Sequence, residues 1–362
     1  LIVSAGARER SLVFPGNQLP GIFGAGAFQT LVNRDLIRSS DKIFIVGSGN
    51  VGLIAAYHAL QAGITVKGIC DILPEPGGYK VHADKIKRMG VPIYQTHTIL
   101  HANGKDKIEH VTIAKVDEQW HPILETAKTF DVDTLLVAVG LASIDGFYNM
   151  AKRFGFPVVK AGDADEIAEA SSAMFGGRIA GLTLAKKLGK NIEIDDSFFE
   201  KASILKSHPG KVFPKKSKPI TERFQPVIHC IQEIPCNPCE TICPVGAISL
   251  HPRQNNIMDI PEYTGGCTGC MKCVAICPGL AISLARKLDD ELAEVVLPYE
   301  FLVDLEIGDT LPLTDMDGMY FEDGKVKRIR FDKKTLTTLL TIETSLKNAQ
   351  IITGVRVQKE HA

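Results

Sequence analysis

The sequence predicts an α/β protein in which a Rossmann-like nucleotide-binding fold is joined to a cysteine-rich segment and a small β-rich C-terminal module. Three observations support this prediction. An apolar strand leads into the motif Gly-Ser-Gly-Asn-Val-Gly at residues 47–52, and a helical pattern and a second strand follow it. Eight of the nine cysteines lie between Cys230 and Cys277. Short apolar segments separated by turn signals such as Asp317-Gly318 and Asp323-Gly324 occupy the C-terminal part.

The glycine motif has the surroundings of a complete dinucleotide-binding fingerprint. The first glycine permits the tight turn, the second lets the backbone approach a pyrophosphate, and the third packs the helix on the strand. The next strand ends at Asp71, which would accept hydrogen bonds from a ribose 2′-hydroxyl and repel a 2′-phosphate, so NAD(H) is favoured over NADP. A chance glycine turn is the alternative. The candidate nucleotide-binding residues are Gly47, Gly49, Asn50, Val51, Gly52 and Asp71.

The cysteine-rich segment is an internal duplication. A shift of 34 residues superimposes two runs that share three cysteines, a proline and the sequence Ala-Ile-Ser-Leu. The second run has the spacing of bacterial ferredoxins, in which the last cysteine of each run binds the other of two [4Fe–4S] clusters. The first run departs from this spacing, because Glu233 stands where a cysteine is expected and Cys230 is the nearest spare thiol. Crossed ligation predicts one cluster on Cys230, Cys236, Cys239 and Cys277, and another on Cys243, Cys267, Cys270 and Cys273.

Two other uses of these cysteines are alternatives. A disulfide knot is typical of small secreted domains rather than of a large chain with two repeats in one register. Structural zinc usually pairs Cys-x2-Cys with a distant second pair. Thiolates are soft ligands that suit iron–sulfur clusters, and turns containing Gly265, Gly266 and Gly269 can supply backbone N–H groups to an anionic cluster.

Composition and charge exclude several classes of function. The 362 residues contain 41 basic and 42 acidic side chains, a net charge of −1, so there is no electrostatic reason to expect a nucleic-acid partner. Polar residues interrupt the longest apolar stretch, residues 43–66, so we expect no membrane insertion. Iron–sulfur cysteines need a reducing compartment, which predicts a cytoplasmic location. Because the chain starts at Leu1 inside an apparent strand, we expect an N-terminal portion to be missing.

Three further segments have the form expected around a second nucleotide. Residues 1–7 and 133–141 are apolar strands that end in small residues, which lets a backbone approach a ligand. Residues 161–164 read Ala-Gly-Asp-Ala and precede a helical pattern over residues 168–188, whose N-terminus could face a pyrophosphate. Asp163 is placed to hold the sugar-like chain of a nucleotide, and its alternative role is that of a helix N-cap.

These motifs resemble the pyridine nucleotide-disulfide oxidoreductase family, in which an NAD(P)H domain interrupts an FAD domain. The sequence Ser4-Ala5-Gly6-Ala7 resembles the turn that ends the first FAD segment, and Val139-Gly140-Leu141 resembles its second copy. Residues 161–164 resemble the late FAD motif, whose aspartate contacts the ribityl chain. The FAD-binding residues implied by this resemblance are Ala5, Gly6, Gly140, Gly162 and Asp163. The resemblance implies a two-dinucleotide (Rossmann-like, ββα) flavoprotein fold that lacks its N-terminal FAD segment.

A narrower resemblance rests on three neighbouring motifs, Gly6-Ala7-Arg8-Glu9-Arg10, Phe14-Pro15-Gly16 and Leu19-Pro20-Gly21. They are similar to the α subunits of heteromeric amine and amino-acid dehydrogenases of the proline dehydrogenase, sarcosine oxidase, opine oxidase and hydrogen cyanide synthase type. The resemblance implies an α subunit that passes electrons between flavin or NAD(H) and the clusters. Its implied partners are a separate flavin-containing dehydrogenase subunit and an electron acceptor. The alternatives are a stand-alone NAD(P)H:acceptor oxidoreductase, similar to glutamate synthase small subunits, and an electron-relay scaffold that binds NAD or a structural ATP or ADP.

The predicted domain division has six parts. They are an FAD-domain segment (1–38), an NAD(P)-binding domain (39–130), an FAD-domain return segment (131–190), a linker (191–226), a 2[4Fe–4S] ferredoxin-type domain (227–286) and a β-rich C-terminal module (287–362). Two local expectations accompany it. The cationic helical segment after Gly77-Gly78-Tyr79 is expected to present a solvated face, and one short helix is expected near residues 336–346.

Overall fold

The computed structural model describes residues 1–206, 208–215, 218–250, 257–301 and 305–356. The chain forms two compact units: a smaller unit of Leu1–Leu12 and Val139–His208, and a larger unit of Val13–Ala138 and Pro209–Ala362. A π turn covers Thr30–Arg34 and a 3₁₀ turn covers Gly162–Ala164. The described helices are α1 (Ala25–Gln29), α2 (Asn50–Gln61), α3 (Lys80–Arg88), α4 (Gly146–Arg153), α5 (Ala170–Lys187), α6 (Ser197–Leu205), α7 (Pro238–Thr241) and α8 (Lys272–Ile276).

The smaller unit is built on two short ladders and three helices. Strand Ile2–Val3 pairs in parallel with Val159–Lys160, and Ala7–Glu9 pairs antiparallel with Leu141–Ser143. Helix α5 begins where the Glu169 carboxylate accepts hydrogen bonds from two backbone N–H groups of the first turn, which satisfies donors that a helix start leaves unpaired. The predicted long helix is confirmed, and its cap is Glu169.

A five-stranded parallel sheet forms the base of the larger unit. Its strand order is Ile22–Gly24, Thr134–Val137, Lys42–Val46, Thr65–Asp71 and Ile93–Gln95. Residues 43–46 are all buried, as expected for a parallel strand covered on both faces. The predicted order of strand, glycine turn, helix and strand at residues 42–71 is confirmed, and with it the Rossmann-like α/β fold.

The same sheet includes two strands outside the predicted NAD(P)-binding domain. Ile22–Gly24 and Thr134–Val137 pair with each other, and Thr134–Val137 also pairs with Lys42–Val46. The sequence-based boundaries place both strands in FAD-domain segments, because these boundaries were drawn from the small-residue motifs beside the strands. The six-part division itself stays a prediction. Residues 191–226, predicted as a linker, contain α6 and the start of strand Gln225–Ile228.

The remaining paired strands of the larger unit lie in antiparallel sheets. Three strands pair in sequence order: His97–Asn103, His110–Val116 and Pro122–Asp131. Ile248–Ser249 pairs with Glu262–Tyr263. A seven-stranded sheet has the order Gln225–Ile228, Ile282–Lys287, Leu292–Tyr299, Thr337–Ser345, Tyr320–Asp332, Thr310–Thr314 and Gly354–Val355.

The C-terminal helix expectation is wrong. Thr337–Ser345 is a strand that pairs with neighbours on both sides. Its sequence, TTLLTIETS, is rich in β-branched residues, which favour a pleated surface once tertiary partners are present. Elsewhere in the C-terminal part the expected β structure is present, since the segment expected at residues 325–331 lies inside Tyr320–Asp332. None of the helices in the described ranges is both long and apolar enough to cross a membrane.

Candidate functional site

The glycine turn that follows strand Lys42–Val46 is fixed by close backbone contacts. Gly47 has φ of +108°, and a side chain there would place its Cβ 2.3 Å from the Ala138 carbonyl oxygen. A Cβ on Gly52 would lie 2.0 Å from the Gly47 carbonyl oxygen. A Cβ on Gly49 would meet no atom within 4 Å. The outer two glycines are therefore required for packing, and the middle glycine leaves open space beside the start of α2.

A second turn, at Gly78 and Tyr79, lies against the glycine turn. The Gly78 N–H donates to the Ser48 carbonyl (3.1 Å), and the Tyr79 N–H donates to the Asn50 side-chain oxygen (2.7 Å). Tyr79 is also the N-cap of α3. The contacts join the start of α2 to the start of α3, so the glycine turn and α3 are positioned together.

Asp71 ends strand Thr65–Asp71, as predicted, and its carboxylate already has three hydrogen-bond donors. Its Oδ2 accepts from the Ser48 N–H (2.6 Å) and hydroxyl (2.7 Å), and its Oδ1 accepts from the Leu73 N–H (3.0 Å). The carboxylate thus fixes the glycine turn. Its predicted contact with a ribose stays a prediction and would use the remaining acceptor capacity.

The residues assigned to FAD by resemblance lie in the smaller unit. Gly6, Gly140 and Gly162 all have positive φ, at 77°, 109° and 61°, so each turn depends on the absence of a side chain. The Ile144 N–H donates to the Gly6 carbonyl (2.9 Å), and the Ser143 hydroxyl donates to the Asp163 carbonyl (2.7 Å). Ala5, Gly6, Gly140, Gly162 and Asp163 are thereby collected around the two short ladders.

Asp163 is not the N-cap of α5. It lies in the 3₁₀ turn Gly162–Ala164, six residues before Glu169, whose carboxylate caps the helix. The helix-cap alternative for Asp163 is wrong because α5 begins later than the sequence pattern indicated.

The duplication of the cysteine-rich segment is also present in the structure. Helices α7 and α8 begin 34 residues apart, at 238 and 272, and strands Ile248–Ser249 and Ile282–Lys287 begin with the same offset. The Cys243 sulfur accepts the Ala247 N–H (3.2 Å), and the Cys277 sulfur accepts the Ala281 N–H (3.3 Å). These two bonds are equivalent in the two repeats. Backbone N–H groups aimed at thiols are the donors that an anionic cluster requires.

Crossed ligation predicts a first thiol set of Cys230, Cys236, Cys239 and Cys277 and a second set of Cys243, Cys267, Cys270 and Cys273, and the structure shows which of these cysteines lie near one another. The four cysteines of the second set line one small cavity, together with mostly apolar residues that include Met271 and Leu284. In the first set, burial raises the pKa of Cys230, and the nearby thiolates of Cys277, Cys236 and Cys239 raise it further. Cys230, Cys236 and Cys277 also pack against the same apolar side chains, Val81, Ile234 and Ala281. Cys239 also packs in one apolar cluster with Cys273, and the crossed ligand assignment stays a prediction.

Burial and like charge make these thiols poor thiolates when they stand alone. Burial first, and the Cys277 thiolate second, raise the pKa of Cys236 to about 11. The same causes raise the pKa of Cys239 to about 12. For Cys273, burial and the thiolates of Cys267 and Cys270 raise the pKa to about 12. Four thiolates at either place therefore need a compensating cationic centre.

Glu233 is placed away from a ligand role. Its carboxylate accepts the Lys211 N–H (3.0 Å), and its carbonyl accepts the Gly210 N–H (2.8 Å). Cys230, three residues earlier, lies with the first set instead. Ligation by Cys230 stays a prediction, as it does for the other seven cysteines.

The donor chemistry of both sets fits an iron–sulfur cluster. Within the ranges that the structure describes, no three His, Cys, Asp or Glu side chains are grouped closely enough to hold a metal ion. A single ion needs its ligands around one point, whereas a cluster spreads four thiolates over the corners of a cube. Soft sulfur donors in fours, with N–H groups directed at them, are what such clusters use.

Two cations that sequence analysis placed on a solvated face are buried, so that expectation is wrong for them. Lys85 and Arg88 are 5% and 1% exposed. The Lys85 ammonium donates to the Pro278 carbonyl (3.2 Å). Arg88 Nη2 donates to the carbonyls of Gly279 (3.2 Å) and Leu280 (3.1 Å). A signal was available, because Lys85 and Arg88 follow buried Val81 at helical spacings of four and seven.

His82, on the same helix, predicts a pH-dependent stability. Burial, and secondarily Lys85, lower the pKa of His82 from 6.5 to about 4, and its Nδ1 is buried without a hydrogen-bond partner. The folded chain therefore binds fewer protons than the unfolded chain between these values. The free energy of unfolding should fall as pH is lowered from 6.5 to 4, by about 3 kcal/mol at most. Denaturant titrations of wild type and His82→Gln should give the flatter pH profile for the variant, and parallel profiles would contradict the assignment.

Comparisons with known proteins agree with the N-terminal motifs. Residues 1–162 match the pyridine nucleotide-disulphide oxidoreductase family. The hydrogen cyanide synthase subunit HcnB of Pseudomonas aeruginosa is 27% identical over 220 residues, 51% of this chain and 47% of that protein. The sarcosine oxidase subunit alpha of a Corynebacterium species is 24% identical over 142 residues, 39% of this chain and 14% of that protein. The chain thus spans about half the length of HcnB and a smaller share of the sarcosine oxidase subunit alpha.

Solved structures give a similar coverage. Thioredoxin reductase of T. acidophilum covers 52% of this chain at 19% identity, with a TM-score of 0.42 and 66% of its own chain covered. The L-proline dehydrogenase of P. horikoshii covers 56% at 17% identity, with a TM-score of 0.39 and 37% of its own chain covered. The resemblance identified from the glycine turns is confirmed by the match of residues 1–162 to the pyridine nucleotide-disulphide oxidoreductase family model.

Proposed function

We propose that the chain is the α subunit of a heteromeric FAD-dependent amine or amino-acid dehydrogenase and passes electrons between flavin or NAD(H) and two [4Fe–4S] clusters. One observation carries the proposal. Cys243, Cys267, Cys270 and Cys273 line one cavity, and Cys236, Cys239 and Cys277 lie close enough to Cys230 to act on it electrostatically, in the same compact unit as the glycine turn; these proximities support crossed ligation. Flavin chemistry connects two-electron oxidation with one-electron carriers such as these clusters.

The chain's own residues would bind and orient the carriers. The N–H groups at the start of α2, beside Gly49, would bind a pyrophosphate, and the positive-φ turns at Gly6, Gly140 and Gly162 would let the backbone approach FAD. The Ala247 and Ala281 N–H groups would stabilise the sulfurs of Cys243 and Cys277. Hydride and electron transfer depend mainly on such positioning, so we assign no general acid or base.

The partners follow from the relatives. HcnB is named as a hydrogen cyanide synthase subunit, and the Corynebacterium relative is named as the sarcosine oxidase subunit alpha. By analogy, this chain would assemble with a separate flavin-containing dehydrogenase subunit and deliver electrons to an acceptor. A reducing, cytoplasmic location would preserve the clusters.

Chemical analysis of anaerobically prepared full-length protein tests the proposal. We expect about eight iron and eight acid-labile sulfide per chain, from two four-iron clusters, together with FAD. Reduction should produce the electron paramagnetic resonance signals of two interacting clusters. Colourless protein, with the cysteines disulfide-bonded or holding zinc, would eliminate the electron relay.

A second candidate, a scaffold that holds a nucleotide without using it, has one observation in its favour. Both oxygens of the Asp71 carboxylate already accept hydrogen bonds from within the chain, which leaves less capacity for a ribose.

Flavin bleaching distinguishes the candidates. For the main proposal we expect NADH to bleach the flavin of the isolated chain slowly or not at all and the dehydrogenase partner to reduce it. A stand-alone NAD(P)H:acceptor oxidoreductase would instead be bleached rapidly by NADH. Absence of reduction by either donor would favour the scaffold. NADPH serves as the control for Asp71, because its 2′-phosphate should be repelled.

A further inference from the structure

Helix α3 of the nucleotide-binding part packs directly on the first thiol set. Val81 forms a buried cluster with Ile234 and Ala281, around which Cys230, Cys236 and Cys277 pack. The approach is close, because a Cβ on Gly279 would lie 2.8 Å from the Val81 Cβ. Whatever the first thiol set binds is therefore within reach of the charges on α3.

Two cations on this face are directed at the turn that follows Cys277. Lys85 donates to the carbonyl of Pro278, and Arg88 donates to the carbonyls of Gly279 and Leu280. The Lys85 ammonium also lies 3.6 Å from the centre of the Tyr57 ring. These contacts hold both charges in fixed positions beside the thiol.

The surrounding anions do not balance these charges. Lys80, Lys85 and Arg88 face two carboxylates, Asp84 and Glu300, and Asp84 is paired with Lys80 at 2.7 Å. Arg88 is 1% exposed, and its Nη1 is buried with no hydrogen-bond partner among the described residues. A buried guanidinium without full pairing is costly, unless a further anion lies beside it.

The missing anion is supplied if the first thiol set holds a cluster. Lys85 and Arg88 bind the carbonyls of the three residues that directly follow Cys277, so their positive charges lie beside that ligand position. Among the described residues that line the cavity of the second set there is no lysine or arginine. The two sets therefore differ in their electrostatic environment.

We propose that Arg88 and Lys85 set the reduction potential of the cluster held by Cys230, Cys236, Cys239 and Cys277, and make it the stronger electron acceptor of the two. The inference rests on the proposed function. The oxidised cluster takes up one electron and becomes more anionic, with no bond made or broken. Fixed positive charges stabilise the reduced form and raise the potential, since net charge and hydrogen bonding determine cluster potentials.

Redox titration of the full-length, cluster-loaded protein, followed by electron paramagnetic resonance, tests this. In Arg88→Gln, we expect at least a tenfold lower ratio of reduced to oxidised first cluster at a fixed potential, about 59 mV for a one-electron couple. The second cluster should be unchanged. Arg88→Lys should restore most of the wild-type potential. Lys87→Gln is the matched control, because Lys87 lies on the same helix but is partly exposed and paired with Asp317.

Each outcome decides the matter. If wild type contains no clusters, the proposed function fails; if it contains both clusters and Arg88→Gln leaves their potentials in place, only this inference fails. If Arg88→Gln does not load the first cluster, the same tenfold criterion is applied to Lys85→Gln. If Arg88→Lys also fails to incorporate the first cluster, or also lowers its reduction potential, the shape of Arg88 and not its charge is required, and the proposal is overturned.

Discussion

Replacing Cys243 by serine should remove the cluster assigned to Cys267, Cys270 and Cys273 and leave the other cluster in place. The reason is the crossed arrangement, in which Cys243 lines the cavity of the second set although it belongs to the first sequence repeat. A serine hydroxyl is a poor replacement for a soft thiolate. Iron and sulfide content should fall to about half, and one of two paramagnetic signals should disappear.

The matched experiment is Cys277→Ser, which should remove the other cluster. Cys70→Ala is the control, because Cys70 is the one cysteine outside the duplicated segment and is buried in strand Thr65–Asp71. It should retain full iron content. If Cys243→Ser instead destroys the cluster assigned to Cys236 and Cys239, each sequence repeat binds its own cluster and the crossed assignment is wrong.

Gly52→Ala should destabilise the larger unit and weaken nucleotide binding together. The added Cβ would lie 2.0 Å from the Gly47 carbonyl oxygen and 3.3 Å from the Ala138 Cβ. Relief requires α2 to move away from the sheet, and overpacking of this kind costs about 1–3 kcal/mol. Denaturant unfolding should show the loss, and NADH titration should show reduced affinity.

Gly49→Ala separates the two effects. A Cβ at Gly49 meets nothing within 4 Å, so the free energy of unfolding should stay within about 0.5 kcal/mol of wild type. The Cβ would, however, enter the space where a pyrophosphate approaches the start of α2. We expect at least tenfold weaker NADH binding, about 1.4 kcal/mol. Unchanged binding in Gly49→Ala would contradict a nucleotide site at this turn.

The sequence predicted the local structure well where a motif fixes the backbone. The glycine turn, the strand ending at Asp71 and the 34-residue duplication were all identified from spacing and are present in the structure. Such motifs can be recognised in a sequence because each position has one strict requirement, either the absence of a side chain or the presence of a thiol. The strand at Thr337–Ser345 was mistaken for a helix, because pairing on both sides, which no local pattern reports, decided its conformation.

What the sequence by itself determined is where the glycine turn lies and how many thiols the duplicated segment contains. Only the tertiary structure decided which charges lie beside those thiols. Arg88 and the carbonyl that it contacts on Gly279 are 191 residues apart, and charge patterning on a helix reports only its own faces. Burial of a cation depends on the partner surface that covers it, and that surface exists only after α3 packs against the cysteine-rich segment.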